Sequence, residues 1–505
     1  MSSSIAYIIA FVLYLGFMIY LGFRNAGNNR SASDFFIGGR RVGPWMTALS
    51  AEASDMSGWL LMGLPGLAYL GGIKEAFWTA LGLILGTYLN WLFVAKPLRK
   101  CTIAFGDSIT IPEFFSNRFK DSKHLISSIS VIFIILFFTI YTASGFVACA
   151  KLFNSVFGLN YYIGLAIGIV VILSYTILGG YLAVCSTDFI QGSLMFIALI
   201  IISIGAILAL GGTHHAMEQV NLFGQKAMNG EFSDAMRTAF TNNQTYSGMS
   251  IASAMAWGLG YFGMPHILVR FMGIRSNKDV KLSRRIATIW VIVAFAGAVW
   301  AGTVGTAYLF DKVNGGFLNS AETVISESIK FMFPSFIAGI FLCAILAAAM
   351  STADSQLLVA SSAFSQDIYK GLLKKNADHK EVLRVSRIAV LVIAVIAMLL
   401  ALDENSSIFG LVSYAWAGFG GTFGPLILLA LFWRGTTRTG AVSGLICGGL
   451  TVVIWHNLHG GLFDVYEILP AFIICLLVTV VVSLFDKRKD AVMLAEFDAY
   501  RKMED

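Results

Sequence analysis

Apolar residues fill most of this chain in runs of about 20, the length of a helix that crosses a bilayer. Short polar connections separate the runs. Thirteen of them are predicted as membrane spans, numbered 1 to 13: residues 5–23, 44–68, 76–98, 124–153, 160–181, 185–211, 247–269, 284–310, 335–364, 385–402, 406–433, 440–458 and 465–485. The pattern predicts an all-α integral membrane protein with 13 transmembrane helices. The stretch MSSS before span 1 holds no Lys or Arg, so span 1 is read as a true span rather than a cleaved signal.

Three spans break the apolar pattern. Span 2 contains ASDMSGWLLMGLPG (53–66), which sets Ser54, Asp55, Ser57 and Gly58 at bilayer depth. A charge and a helix-weakening glycine are tolerated there only where freed backbone groups face a cavity, an ion or other protein. Discontinuous helices of this kind build cation and solute sites in secondary transporters. Span 9 contains LAAAMSTADSQLL (346–358), where Ala348, Ser351 and Thr352 share one helical face. Two hydroxyls beside a small residue make a compact oxygen cluster. A sodium ion needs about five or six oxygens, and carbonyls of an unwound Ala53–Met56 segment would complete the shell. The competing reading is ordinary back-bonding of Ser and Thr within their helix.

Span 7 contains WGLGYFGMPHILVRF (257–271). Trp257, Tyr261 and Pro265 recur every four residues, Gly258, Gly260 and Gly263 thin the other side, and Pro265 removes a backbone donor. An aromatic wall with freed carbonyls suits a small, partly apolar zwitterion; the competing reading is an aromatic packing stripe.

Composition and charge narrow the class. The chain is 57% hydrophobic and only 13% charged, about half the charged share of soluble domains. The net charge of +6 is not a nucleic-acid signature, because of where it lies. Of the 35 Lys and Arg, 29 fall in the connections and tail on one side, and six (Lys74, Lys151, Lys226, Arg237, Lys312 and Lys330) on the other. That asymmetry predicts an external N-terminus and a cytoplasmic C-terminus. The six cysteines show no CxxC pair and no metal-ligand spacing, and read as small core residues. No GxxxxGK[ST] loop is present, so the driving energy is expected from an ion gradient rather than a nucleotide. The external 212–246 connection (THHAMEQV, GEFSDAMR) predicts short amphipathic helices, FSQDIYKGLLKK a cytoplasmic extension of span 9, and 486–505 an amphipathic or frayed tail. Glu52, beside the expected unwound segment, is a second carboxylate that could face water, pair with an Arg or be protonated.

These strings, with FFTIYTASG (137–145) and LVSYAWAGFGGTFGP (411–425), resemble the solute:sodium symporter family collinearly over nearly the whole chain. The Asp55–Trp59 and Trp257–Pro265 strings are those of its proline branch. The resemblance implies a LeuT-like core of two five-helix inverted repeats, at 44–211 (spans 2–6) and 247–433 (spans 7–11). The remaining parts are 1–43, the external loop 212–246, and the peripheral 434–505. It implies a sodium site from the Ala53, Met56 and Ala348 carbonyls and the Ser351 and Thr352 hydroxyls, with Asp55, Asp188 and Arg40 tied to sodium access and coupling. Ser57 and Gly58 match positions near substrate and ion, and Tyr141, Trp257, Tyr261 and Pro265 match the solute pocket.

The implied activity is import of L-proline with co-transported Na+ across the cytoplasmic (inner) membrane, by a carrier rather than an enzyme, with no nucleotide or nucleic-acid partner. The same machinery carrying pantothenate or a compatible solute is the alternative within the class. A transporter-like sensor would normally need an appended signalling domain, and the chain ends at Asp505. A channel fits broken helices around a midplane site less well than a carrier does.

Overall fold

The computed structural model describes residues 3–26, 31–231, 237–238, 240–241, 246–313, 318–487 and 490–503. Its architecture is all-helical; among the described residues one isolated β-bridge joins Val42 to Ile274. Among the described residues, ten helices are long and apolar enough to cross a membrane, and they coincide with spans 1, 3, 4, 6 and 8 to 13. Spans 2 and 7 are built from shorter pieces and span 5 is the short first limb of a kinked helix, so the described residues show ten long apolar helices rather than thirteen.

Each interruption has a local cause. Span 2 runs as a helix over Pro44–Asp55, leaves helical geometry at Met56 (φ −81°, ψ 65°) and resumes over Trp59–Gly71. The Ser57 amide donates to the Asp55 carbonyl at 2.9 Å, a tight turn in place of the helical ladder. Span 7 runs through Gly248–Met255, tightens to a 3₁₀ helix over Ala256–Phe262, and restarts at Pro265–Gly273. Pro265 enforces that restart: it donates no amide and pushes Met264 into extended geometry (ψ 106°). Glycine permits the close approach of neighbours here. A Cβ on Gly258 would collide with the Gly82 carbonyl oxygen, and one on Gly260 with the Trp416 indole nitrogen. Spans 5 and 6 form one helical rod, Tyr161–Ala209, kinked at Gly180 (φ 64°).

Burial orders the bundle. Spans 9 and 11 bury 83% of their apolar windows and spans 1 and 13 only 33%, so the first pair is central and the second faces outward. The two interrupted spans are tied together at one end, where the Val42 amide donates to the Gly273 carbonyl and Arg275 to Val42. Helices at Thr213–Met228 and Ala491–Lys502 correspond to the expected surface helix and tail, and the helix of span 9 continues to Leu373. Most of GEFSDAMR lies outside the described residues.

Candidate functional site

Three faces of the helix Pro44–Asp55 address three separate polar groups. This follows from helical periodicity, which sends Ser50 and Ser54 one way, Ala53 another, and Glu52 and Asp55 a third.

On the first face, Ser50 and Ser54 donate to Asp188 Oδ2 at 2.6 and 2.9 Å. Arg270 reaches the same oxygen at 3.2 Å, and both groups are fully buried. The guanidinium also donates to Ser50, Ser54, Ser355 and the His266 carbonyl. Fixed in five directions, it links spans 2, 6, 7 and 9. Sequence reasoning assigned Arg270 to a cytoplasmic connection; the structure turns it inward from the last turn of span 7. The available signal was its place in an unbroken apolar string, MPHILVRFM. Ser50 and Ser355 were likewise not singled out.

On the second face, Ser351 donates to the Ala53 carbonyl at 2.7 Å and lies 3.3 Å from the Ala348 carbonyl. Thr352 is buried beside it, and its hydroxyl makes no hydrogen bond among the described residues. Ala53, Ala348, Ser351 and Thr352 are thus gathered where span 2 loses its helix, with Met56 buried at the break.

On the third face, Asp55 Oδ2 accepts from the Tyr261 hydroxyl at 2.6 Å, and the Asp55 carbonyl accepts from Tyr141 at 3.3 Å. Glu52 accepts from the Trp91 indole at 3.2 Å. Neither carboxyl has an Arg or Lys within ion-pair distance among the described residues. Of the three alternatives for Glu52, pairing with an Arg is therefore not what the structure shows.

Beside this third face lies a small cavity lined by Asp55, Met56, Trp59, Tyr141, Trp257, Tyr261 and Trp416, with Leu83, Phe295 and Val412. Only about 10 Å³ of it can hold the centre of a water molecule, roughly one water. Trp257 also lines a separate, larger cleft, in which the space open to water centres is about 710 Å³. Its ring packs against Trp59, Phe409 and Tyr466 at centroid distances of 5.2, 5.3 and 5.0 Å, and partitions the two spaces. Trp416 donates its indole N–H to the Trp257 carbonyl at 2.7 Å, satisfying one acceptor in the 3₁₀ stretch. Trp416 lies within LVSYAWAGFGGTFGP, where its spacing alone does not mark it as a site residue.

The other expected residues fall elsewhere. Ser57 Oγ accepts from the Trp59 amide at 3.1 Å and so caps the resumed helix. Gly58 packs on Ala148, where a Cβ would clash at 2.7 Å. Pro265 lines a different small cavity with Thr110, Ile134 and Val359. Arg40 donates to the Met272 and Ser108 carbonyls and to Asp107, fastening the end of span 7 to the connection after span 3.

Comparison with known proteins adds an independent line. Residues 35–448 match the model of the sodium:solute symporter family. The sodium/proline symporter of Escherichia coli K12 is 44% identical, covering 99% of this chain and 98% of that one. The high-affinity proline transporter PutP of Bacillus subtilis 168 is 44% identical over 93% of this chain and 96% of its own. Among solved structures, a Na+-coupled sialic acid symporter in a substrate-bound outward-open state superimposes with a TM-score of 0.77. Its identity is 20%, over 95% of this chain and 98% of that one. The nucleobase-cation-symport-1 transporter Mhp1 superimposes at 0.56 with 12% identity, over 94% and 99%.

Proposed function

The chain belongs to the sodium:solute symporter family, and on that premise we propose that it imports L-proline with sodium across the cytoplasmic membrane by alternating access. The observation that carries the solute assignment is 44% identity, over 99% of the chain, to a symporter of sodium and proline. The protein is a multi-pass membrane carrier. Its substrates leave chemically unchanged, and its only cofactor is the co-transported Na+.

In this reading the chain crosses the membrane thirteen times. Its core is a pair of LeuT-like inverted repeats, 44–211 and 247–433, flanked by 1–43, the external loop 212–246 and the peripheral 434–505. The N-terminus is external and the C-terminus cytoplasmic, as the split of basic residues supports.

Sodium sits among the carbonyls of Ala53, Met56 and Ala348 and the hydroxyls of Ser351 and Thr352. It replaces the Ser351–Ala53 hydrogen bond and clamps span 9 to the end of the first half of span 2. Clamping fixes the turn that presents Asp55, and Asp55 orients Tyr261 at the solute cavity. Ion binding therefore improves proline affinity, and proline improves ion affinity by the same factor. Tyr141, Trp257 and Tyr261 surround the solute, with Ser57 and Gly58 shaping the turn beneath it. Pro265 acts indirectly, by breaking span 7. Asp188 and Arg40 hold the gates through Arg270 and the Met272 carbonyl.

A space for about one water is too small for proline, so loading requires Trp257 to swing toward the open cleft. Each sodium entering contributes about 2.3 kcal/mol per 100 mV before any concentration term. Labelled proline uptake into proteoliposomes tests the reading: accumulation against a gradient only when sodium is higher outside supports it, and sodium-independent uptake refutes it.

A further inference from the structure

The tail helix Ala491–Lys502 has one apolar face, Met493, Phe497 and Tyr500, spaced by four and three residues and buried. Asp490 starts the helix by accepting from the Val492 amide at 2.8 Å. That face covers Arg118, the last residue of the short helix Ile111–Arg118 in the connection between spans 3 and 4. Arg118 is fully buried, and its guanidinium lies 4.5 Å from the Phe497 ring centre, with Phe105 and Phe119 at 5.4 and 5.3 Å. Its Nε donates to the Ala430 carbonyl at 3.1 Å, and its two terminal nitrogens have no hydrogen-bond partner among the described residues. A desolvated guanidinium with one hydrogen bond draws the rest of its stabilisation from ring faces, and Phe497 supplies the closest of the three.

Three polar ties hold the tail at its rim. Lys120 pairs with Glu496 at 2.6 Å, Arg434 donates to both Asp498 oxygens at 2.8 Å, and Lys100 donates to the Met503 carbonyl at 2.7 Å. Lys100, Arg118 and Lys120 follow span 3, whereas Ala430 and Arg434 stand at the end of span 11. The tail therefore fastens the connection after span 3 to the end of span 11. At its other end the helix Ile111–Arg118 meets a small cavity, where Thr110, Ile111 and Pro112 form a wall with Pro265, Val269 and Ser362. Thr110 also donates to Asp367 Oδ2 at 2.8 Å, tying the start of the helix to the extension of span 9. One short helix thus walls the cavity with its first turn and lies beneath the tail with its last residue.

We propose that the tail helix is a latch on the cytoplasmic side. With Phe497 seated on Arg118 it holds the helix Ile111–Arg118 against the small cavity and keeps that face shut, and lifting of the tail frees the helix and opens the cavity. The inference rests on the alternating-access reading above, in which one repeat rocks against the other. The tail joins the cytoplasmic ends of both repeats, so the rocking strains its contacts directly. Those contacts suit a reversible device. The docked face is three side chains on a helix of 12 residues, and the rim pairs lie at the surface, where each ion pair is weak.

The test is the rate at which a polar thiol reagent modifies Ser362→Cys in the purified full-length protein, in sodium without proline. Cys101→Ala is the background, because Cys101 is buried beside Tyr500 and would itself be bared when the tail lifts. Phe497→Ala should raise the rate about tenfold or more, the worth of a desolvated cation–π contact. Arg434→Asp and Asp498→Arg should each raise it to a smaller extent. Combined, they restore the pair with its charges exchanged and should return the rate close to its starting value. An unchanged rate in Phe497→Ala protein that keeps its thermal stability overturns the latch. A combined variant as reactive as the two single ones also overturns it, since the rim pair then has no part in closing the cavity. Sodium-driven proline uptake by the unaltered protein checks the transport reading separately, because the thiol rate registers opening whatever the solute.

Discussion

The Arg270–Asp188 pair offers the sharpest test of how the four helices at the site are held together. Replacing Asp188 with Leu strands a fully buried guanidinium, and replacing Arg270 with Met strands a fully buried carboxylate. Breaking a buried pair by removing one partner costs about 3–5 kcal/mol. Here Ser50, Ser54 and Ser355 also lose a donor or an acceptor, so the upper end is expected for each single variant.

Removing both charges together is expected to cost far less than the sum, because apolar residues of similar volume often replace a buried pair at little cost. The coupling should therefore reach several kcal/mol, above the 0.5–3 kcal/mol seen for ordinary contacting residues. The assay is a double-mutant cycle on purified protein, reading heat- or denaturant-induced unfolding by tryptophan fluorescence. Proline uptake is measured in parallel. The double variant should recover most of the stability and little of the transport, because the link from span 6 to span 9 is gone. Additive losses in the two single variants would refute the reasoning. They would mean that each charge is held by its serines and not by the other.

Ser351→Ala with Thr352→Ala removes two side-chain oxygens from the proposed ion site, and sodium activation of uptake should move to far higher concentration while the helix survives, Ala being a good helix former. Unchanged activation would remove span 9 from the site. Asp55→Asn should abolish proline transport and Asp55→Glu retain some at weaker sodium affinity; normal uptake by the Asn variant would make the charge irrelevant. Tyr261→Phe deletes the 2.6 Å bond to Asp55, worth about 1.5–3 kcal/mol for a charged acceptor. The proline concentration for half-maximal uptake should then rise roughly 10- to 150-fold, and an unchanged value in well-folded protein contradicts the placement. Trp257→Ala should open the cavity to the larger cleft, so Val412→Cys in that background should react faster with a polar thiol reagent; an unchanged rate denies Trp257 the role of partition.

How much of this was legible beforehand divides along a physical line. Length, apolar runs and basic asymmetry predict the class and nearly every helix, because lipid demands those properties of each span separately. The two broken helices were also readable: Asp55, Gly58 and Pro265 are residues that lipid-facing helix rejects, and the structure departs from helical geometry beside each of them. The Ala348–Ser351–Thr352 face needed only helical periodicity.

What the periodicity could not provide is which face meets which neighbour. Span 9 is apolar nearly all round and buried nearly all round, so its sequence carries no stripe to orient it. Only packing brings Ser355 to Arg270, turns Asp55 toward Tyr261 instead of toward Ser351, and carries Pro265 to a cavity other than that of Trp257. Arg270 shows the limit most clearly. Hydropathy places an arginine near a span end in the adjacent connection, because a lone charge is expelled from lipid. The fold keeps it inside because Asp188, 82 residues away in the chain, waits there to receive it.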